Sequence, residues 1–296
     1  MSLDFWRIEL AWCSPFVKKR VSLESFVTLD ALFRSRHGKF RRMNQSIQKT
    51  AIVTGATSGI GRETCRRLSR EGWQVAGVGR EAERLAALQH ELPGFLPIVM
   101  DVTRDDAAAR IMDATLDRFG ALHGLVNAVG ILEAGSHETT TADDWDRTMN
   151  LNVRSVFLLT QAALPALKQA TPIGAIVNVS SVSGLRPFPG VLAYCVSKAA
   201  IDHLTRCLAI ELAPAGVRVN AVNPGVVVTE LHRRGGMTAE AYEAFLERGR
   251  TTHPLGRVGQ PEEIAGAISW LLSSEAGWIT GETMPIDGGR HLTAAR

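Results

Sequence analysis

The stretch from Thr50 to Leu68 limits the fold of this chain more than any other. A short β-branched run, Thr50-Ala-Ile-Val-Thr54, leads into Gly55-Ala-Thr-Ser-Gly59-Ile-Gly61 and from there into a helical pattern. Glycines let backbone approach a bound phosphate closely, and a helix N-terminus offers free N–H groups with a partial positive charge. Strand, glycine turn and helix in that order make a candidate pyrophosphate cradle. The spacing is Gly-x-x-x-Gly-x-Gly, which differs from the Gly-x-Gly-x-x-Gly of the standard dinucleotide fingerprint, and a purely structural turn is the alternative.

The same alternation continues along the chain. Apolar runs that read as strands cover 51–54, 74–79, 96–101, 124–127, 175–180, 218–223 and 283–286. Segments that read as helices cover 59–71, 82–90, 104–119, 143–168, 193–213, 239–250 and 261–273. Near-continuous apolar strands separated by helices predict an α/β fold whose parallel sheet is covered on both faces. Right-handed crossovers make it a doubly wound, Rossmann-type sheet of seven strands, with the ligand crevice at the carboxyl ends of the strands.

Candidate chemistry lies in Tyr194-Cys-Val-Ser-Lys198. Helix positions i and i+4 lie one above the other, so the phenol and the ammonium can act as one unit. A free Tyr, with a pKa of about 10, is a poor acid or base at neutral pH, and a fixed cation beside it should pull that value down. Ser181, thirteen residues upstream, supplies a hydroxyl near a strand end. Ser180 should face the other side, because strand side chains alternate. Taken alone, Tyr-x-x-x-Lys is a weak pattern, and a half-buried Tyr beside a solvated Lys is the alternative.

Together these residues resemble the short-chain dehydrogenase/reductase family over about 49–289. The resemblance rests on Thr54-Gly55…Gly59-Ile60-Gly61, Asp101-Val102, Asn127-Ala-Val-Gly130, Asn152, Ser181, Tyr194 with Lys198, and Asn223-Pro224-Gly225…Thr229. The tail, with Pro254-Leu-Gly-Arg-Val-Gly-Gln-Pro-Glu-Glu263 and Ile279-Thr-Gly281…Asp287-Gly-Gly289, is especially similar to the 3-oxoacyl-carrier-protein reductase branch. The resemblance implies a single catalytic domain over 47–296 that interconverts a secondary alcohol and a ketone by hydride transfer with a nicotinamide cofactor. It implies Tyr194 as general acid, or base in reverse, with Lys198 lowering its pKa and hydrogen-bonding the nicotinamide ribose. Ser181 would hold the carbonyl oxygen, and Asn152 a water linking Lys198 to solvent. Cofactor contacts carried over are Gly55, Thr57, Ser58, Gly59, Ile60 and Gly61 in the turn, and Asp101 and Val102 at the adenine. Asn127, Ala128 and Gly130 would lie by the adenine ribose, and Pro224, Gly225, Val227 and Thr229 towards the nicotinamide. Ala128 departs from the family's Asn-Asn-Ala-Gly, so the second Asn's sheet-stabilising hydrogen bonds are lost. Helix capping is the alternative role for Asp101, and a satisfied helix-interior amide that for Asn152.

The strand over 74–79 ends Gly79-Arg80-Glu81, with Gly79 where an acid would bind the ribose 2′-OH of NAD. The Arg80 guanidinium matches a phosphate, so NADP(H) is favoured over NAD(H). Pairing of Arg80 with Glu81 or Glu83 is the alternative.

Composition removes other classes. The net charge of +3 is too small to argue for nucleic acid, and no apolar run approaches the ~20 residues that span a bilayer. The four cysteines have no paired spacing and the eight histidines no ligand spacing, so neither a disulfide framework nor a metal site is expected. Residues 1–46 are rich in Lys and Arg without a sustained period, and are expected to be a disordered extension or a mis-assigned start ahead of Met43. The expected partner is a small-molecule carbonyl or alcohol, in a cytoplasmic homotetramer or homodimer without nucleic-acid or membrane contacts. The segment 231–250 resembles a substrate lid and carries the basic stretch Arg233-Arg234. A β-ketoacyl thioester is one candidate among sugars, steroids and small hydroxy compounds. An acidic carrier would need basic docking residues, and the loops over 170–174 and 212–216 have none. A non-catalytic NADP(H)-binding sensor is the rival, against which the four polar residues Asn152, Ser181, Tyr194 and Lys198 argue.

Overall fold

The computed structural model describes residues 48–170 and 174–293. The extension expected over 1–46 lies outside them, as does most of the loop over 170–174. The strands are β1 (Thr50–Thr54), β2 (Gln74–Gly79), β3 (Leu96–Val99), β4 (Gly124–Asn127), β5 (Ala175–Val179), β6 (Arg218–Pro224) and β7 (Thr283–Ile286). All pair in parallel, in the order β3-β2-β1-β4-β5-β6-β7. The connecting helices include α1 (Gly59–Arg70), α2 (Ala82–Glu91), α3 (Ala107–Phe119), α4 (Ala142–Met149), α5 (Ser155–Gln169) and the single turn α6 (Val182–Leu185). They continue with α7 (Leu192–Leu212), the short α8 (Leu231–Arg234), α9 (Ala239–Thr252) and α10 (Pro261–Leu272).

The apolar strands are continuous because both sheet faces are covered, and their residues divide by the period of two. Ala51, Val53, Val75, Ala175 and Val177 join a core with Leu68 of α1 and Ile264, Ile268 and Leu271 of α10. Their alternates Ile52, Ala76, Val78 and Ile176 join a second core with Ile111 of α3, Leu159 of α5 and Ala209 of α7. The chain builds outward from β1 through β2 to β3, then returns to place β4 on the other flank of β1. The loops after β1 and β4 consequently diverge and open a crevice between them.

Three elements differ from the sequence expectation. The helix expected over 104–119 starts at Ala107, because the Asp101 carboxylate accepts hydrogen bonds from the Thr103 N–H (3.0 Å) and hydroxyl (2.7 Å) and holds a turn first. The strand expected over 96–101 ends at Val99, although the Met100 N–H still donates to the Gly79 carbonyl (2.9 Å). The helix expected over 143–168 is interrupted: between α4 and α5 the turn widens to a π-helix over Asn150–Arg154. Such widened turns recur at functional sites, and this one contains Asn152.

A buried polar line crosses the sheet beneath the crevice. Asn127 donates through Nδ2 to Asn178 Oδ1 (2.9 Å), Asn178 to Thr205 Oγ1 (2.9 Å), and the Thr205 hydroxyl to the Ile201 carbonyl (2.8 Å). The tie a side chain at Ala128 cannot make comes from Thr54, whose Oγ1 accepts from the Ala128 and Val129 N–H groups (3.0 and 3.2 Å). Replacing Asn178 by Ala leaves the Asn127 amide only a 3.4 Å contact with Thr160. Asn178→Ala is therefore expected to cost about 1–3 kcal/mol, the desolvation cost of a stranded buried donor, seen as a lower urea midpoint at matched protein concentration and unchanged slope.

Candidate active site

The turn after β1 is shaped by two close approaches. Gly55 has φ 70°, and a Cβ there would lie 2.8 Å from the Ala128 carbonyl oxygen. A Cβ on Gly61 would lie 2.3 Å from the Gly55 oxygen. Only hydrogen fits at either position. The first turn of α1 has no acidic residue, and its N-cap Ser58 makes no side-chain capping bond, so its N–H groups face the crevice uncapped. That is the donor set and field a pyrophosphate requires, without geometry that a side chain would block.

The crevice opens into a cleft of about 960 Å³ running over the carboxyl ends of the strands. All the carried-over cofactor residues line it except Asn127. Asn127 is buried in the polar line to Asn178 instead. Asp101 lines the cleft while also holding its Thr103 turn, so both roles considered for it are geometrically compatible. Its carboxyl is held below the ordinary range: the Thr103 hydrogen bonds and the charges of Arg80 and Arg104 outweigh burial, the largest single cause, which acts the other way.

Tyr194 and Lys198 occupy one face of α7, both buried and both lining the cleft. Ser181 lines the same cleft beside Tyr194 and acts on its phenol in the direction that favours the phenolate. Ser181 also caps α6 by accepting the Ser183 N–H (3.1 Å), which fixes its rotamer. Lys198 reaches the end of β5, donating from Nζ to the Val179 carbonyl (2.9 Å), with its ammonium 5.6 Å from the centre of the Tyr194 ring. The expected downward pull on the phenol is reversed in balance. Burial pushes Tyr194 up to about 12 against the opposing influence of Ser181. Burial likewise lowers Lys198 to about 8, with Asp202 acting against it. The ammonium is engaged by a strand-end carbonyl, and desolvation of the phenolate is the larger effect.

Asn152 does not line the cleft. It donates to the Ile131 carbonyl (3.0 Å) and to Ser197 Oγ (3.0 Å), and accepts the Ile131 N–H (2.9 Å). A Cβ on Gly130 would meet both Asn152 Oδ1 (3.4 Å) and Lys198 Nζ (3.5 Å), so these two groups share one side of the cleft wall. Ser180 corrects the alternation argument. The strand ends at Val179, so the period of two no longer applies, and Ser180 also lines the cleft. Its hydroxyl donates to the Lys198 carbonyl (3.1 Å) and is thereby occupied.

Two groups escaped the sequence reading. Asp202 stands one turn beyond Lys198 and binds Asn223 Nδ2 through both oxygens (3.0 and 2.9 Å), behind the lysine. The i, i+4, i+8 spacing from Tyr194 was the available signal. At the other end of the cleft, two local pairs, Glu81 with Arg84 and Glu230 with Arg234 (2.7 Å each), are joined by Arg84–Glu230 and Arg234–Glu81 (2.9 Å each) across 146 and 153 residues of sequence. No local pattern announces a contact of that separation. Arg80 is exposed on the cleft wall and is not part of this network, so the pairing considered for it with Glu81 or Glu83 is not the one that forms.

Comparison with known proteins agrees with this geometry. A family model described as enoyl-(acyl carrier protein) reductase matches residues 55–291. The chain is 38% identical over 246 residues to the 3-oxoacyl-[acyl-carrier-protein] reductase of Thermotoga maritima, covering 81% of this chain and 97% of that protein. It is 36% identical over 245 residues to the L-xylulose reductase of Caenorhabditis elegans, covering 81% and 95%. A 3-ketoacyl-(acyl-carrier-protein) reductase of Brucella melitensis, solved in complex with NADH, superposes with a TM-score of 0.75 at 32% identity, covering 82% of this chain and 98% of that one. The chain belongs to the short-chain dehydrogenase/reductase family and is a nicotinamide-dependent oxidoreductase acting between alcohols and carbonyl compounds.

Proposed function

We propose that the chain is an NADP(H)-preferring reductase of ketones, reversible as an alcohol dehydrogenase, with Tyr194 as the proton donor. The observation that carries this reading is that Tyr194, Ser181 and the buried Lys198 line one cleft with the glycine turn. The bound cofactor supplies the hydride; the chain supplies the proton and the place for the oxygen. Ser181 and the Tyr194 hydroxyl together form a donor pair for a carbonyl oxygen as charge develops on it. Lys198 keeps a positive charge under that oxygen, and Asn152 lies on the same side of the cleft wall. Asn152 acts as a positioning residue in this scheme, because its amide is fastened to Ile131.

NADP(H) preference is supported at the end of β2. A side chain at Gly79 is excluded, since its Cβ would lie 2.5 Å from Thr57 Cγ2. The carboxylate of Glu81 is engaged by Arg84, Arg234 and Thr57, which leaves Arg80 as the group there able to bind a 2′-phosphate. A homo-oligomer is supported by Phe157 on α5 and Val196 and Ile210 on α7, large apolar side chains left exposed on two long helices. A cytoplasmic setting is supported by the free thiols of Cys65 and Cys207. Cys195 is a packing residue: its Sγ accepts the Phe188 N–H (3.4 Å) and pins that loop to α7. Reduction of a β-ketoacyl thioester is a second reading, favoured by the likeness to the Thermotoga reductase.

Tyr194→Phe and Lys198→Ala are each expected to abolish turnover, about 10³-fold or more, the upper range for a lost acid–base group. Ser180→Ala should stay within a few-fold, and a panel of ketones followed by NADPH absorbance measures all three. In the same assay the KM for NADPH should lie at least about tenfold below that for NADH, and Arg80→Ala should erase most of the difference, as loss of a charge-assisted bond to phosphate implies. A preference for NADH overturns the cofactor assignment. The pH profile follows from the two shifted groups: reduction needs the phenol protonated and the ammonium charged. Both hold below about 8, so kcat/KM for reduction should be flat there and fall as Lys198 loses its proton above it. Oxidation, which needs the phenolate, should instead rise with pH.

A further inference from the structure

One end of the cleft carries an excess of positive charge that the proton chemistry does not use. Arg290 lines it although only 8% of the residue is exposed. Its Nη1 donates to Thr252 Oγ1 (2.6 Å) and its guanidinium carbon sits 5.1 Å over the Phe188 ring. Its Nε and Nη2 donate no hydrogen bond among the described residues. Arg248 of α9 lines the same end, and its side chain forms neither an ion pair nor a hydrogen bond among the described residues. Arg186 adds a third charge from behind: it stacks on Phe188 at 5.1 Å and donates to the Arg290 carbonyl (3.2 Å).

The carboxylates nearby are engaged elsewhere. Asp287 accepts the Gly289 N–H (3.0 Å), the His291 N–H (2.7 Å) and the His291 ring (3.0 Å), holding the turn that presents Arg290. Glu133, also on the cleft wall, is paired with Arg147 (2.7 Å). Burial and the charges of Arg186 and Arg248 hold the Arg290 pKa below its ordinary value, with Asp287 opposing. Placing a cation in apolar surroundings without a counter-charge is costly unless a ligand provides one. A second group points the same way. His232 of α8 lines this end, its Nδ1 is buried with no hydrogen-bond partner, and burial together with Arg290 lowers its pKa to about 4. It is a neutral imidazole with an unused polar atom. Phe188, whose ring lies against Arg290, is tied by its N–H to Cys195, the residue next to Tyr194.

We propose that this end is an anion subsite, and that the preferred substrate is a ketone or secondary alcohol bearing a carboxylate or sulfonate. Arg290 and Arg248 bind the anion, and the apolar body of the substrate lies against Phe188 and Phe245. The proposal rests on Tyr194 and Ser181 marking the place of the carbonyl.

The test compares 4-acetylbenzoate with its methyl ester, as kcat/KM with NADPH, in wild type, Arg290→Met and Arg248→Ala. The acid-to-ester ratio should exceed about tenfold in wild type and fall about 10- to 100-fold in Arg290→Met, the range for a lost hydrogen bond between charged groups. It should fall by a smaller factor in Arg248→Ala, whose exposed side chain can be removed without touching the core. Benzoate and benzenesulfonate, which cannot be reduced, should raise the melting temperature of wild type more than benzyl alcohol does, and Arg248→Ala should remove that difference. The two anions tell carboxylate from sulfonate. Turnover of the ester with no preference for the acid overturns the anion subsite and leaves the reductase reading standing. Absence of turnover with both ketones, alongside an anion stabilisation that Arg248→Ala removes, does the reverse.

Discussion

The site depends on a lysine ammonium buried at the end of a parallel strand. Lys198 gives up most of its hydration, and in a low-dielectric interior that loss must be offset locally. The Val179 carbonyl accepts from it, Asp202 lies one helical turn further, and Asn223 in turn engages Asp202. These groups belong to β5, β6 and α7. The lysine can therefore be held only if those three elements are already in register, which couples the proton chemistry to the integrity of the sheet. The same burial that fixes the lysine also raises the phenol beside it, so tyrosine and lysine are displaced in opposite directions by one cause.

The sheet supplies the second condition, a crevice in a fixed place. Because β1 lies between β2 and β4, the loops leaving β1 and β4 turn to opposite faces, and the glycine turn sits against Ala128 with no room for a side chain. Along the cleft, one end is walled by the network of Glu81, Arg84, Glu230 and Arg234, whose charges balance. The end built from Arg248 and Arg290 is not balanced in this way among the described residues. Partly exposed ion pairs like those of the first network contribute little to stability. Their consequence is geometric: they join the segment after β6 to the end of β2.

Much of this was legible in the residues. Continuous apolar runs are what strands buried on both faces require, so 74–79, 124–127 and 283–286 coincide with the observed strands. Helix ends were read less well. The periodicity through 143–168 is helical throughout, yet a widened turn at Asn150–Arg154 adds one residue per turn without changing which residues are apolar. Asp101 looked like a binding or a capping residue, and the turn it makes with Thr103 delays α3 by three residues. Ser180 and Ser181 were separated by an alternation rule that fails one residue past the strand.

The sequence by itself determined the order of strands and helices, the glycine turn, and the Tyr194–Lys198 spacing. All of these depend on backbone periodicity and on contacts within a few residues. Tertiary structure alone decided the direction of the pKa shifts, the partners of Asn127 and Asn152, and the meeting of Arg84 with Glu230 and of Arg290 with Phe188. Burial and long-range charge are properties of the surroundings a side chain reaches after folding, and no local pattern encodes them.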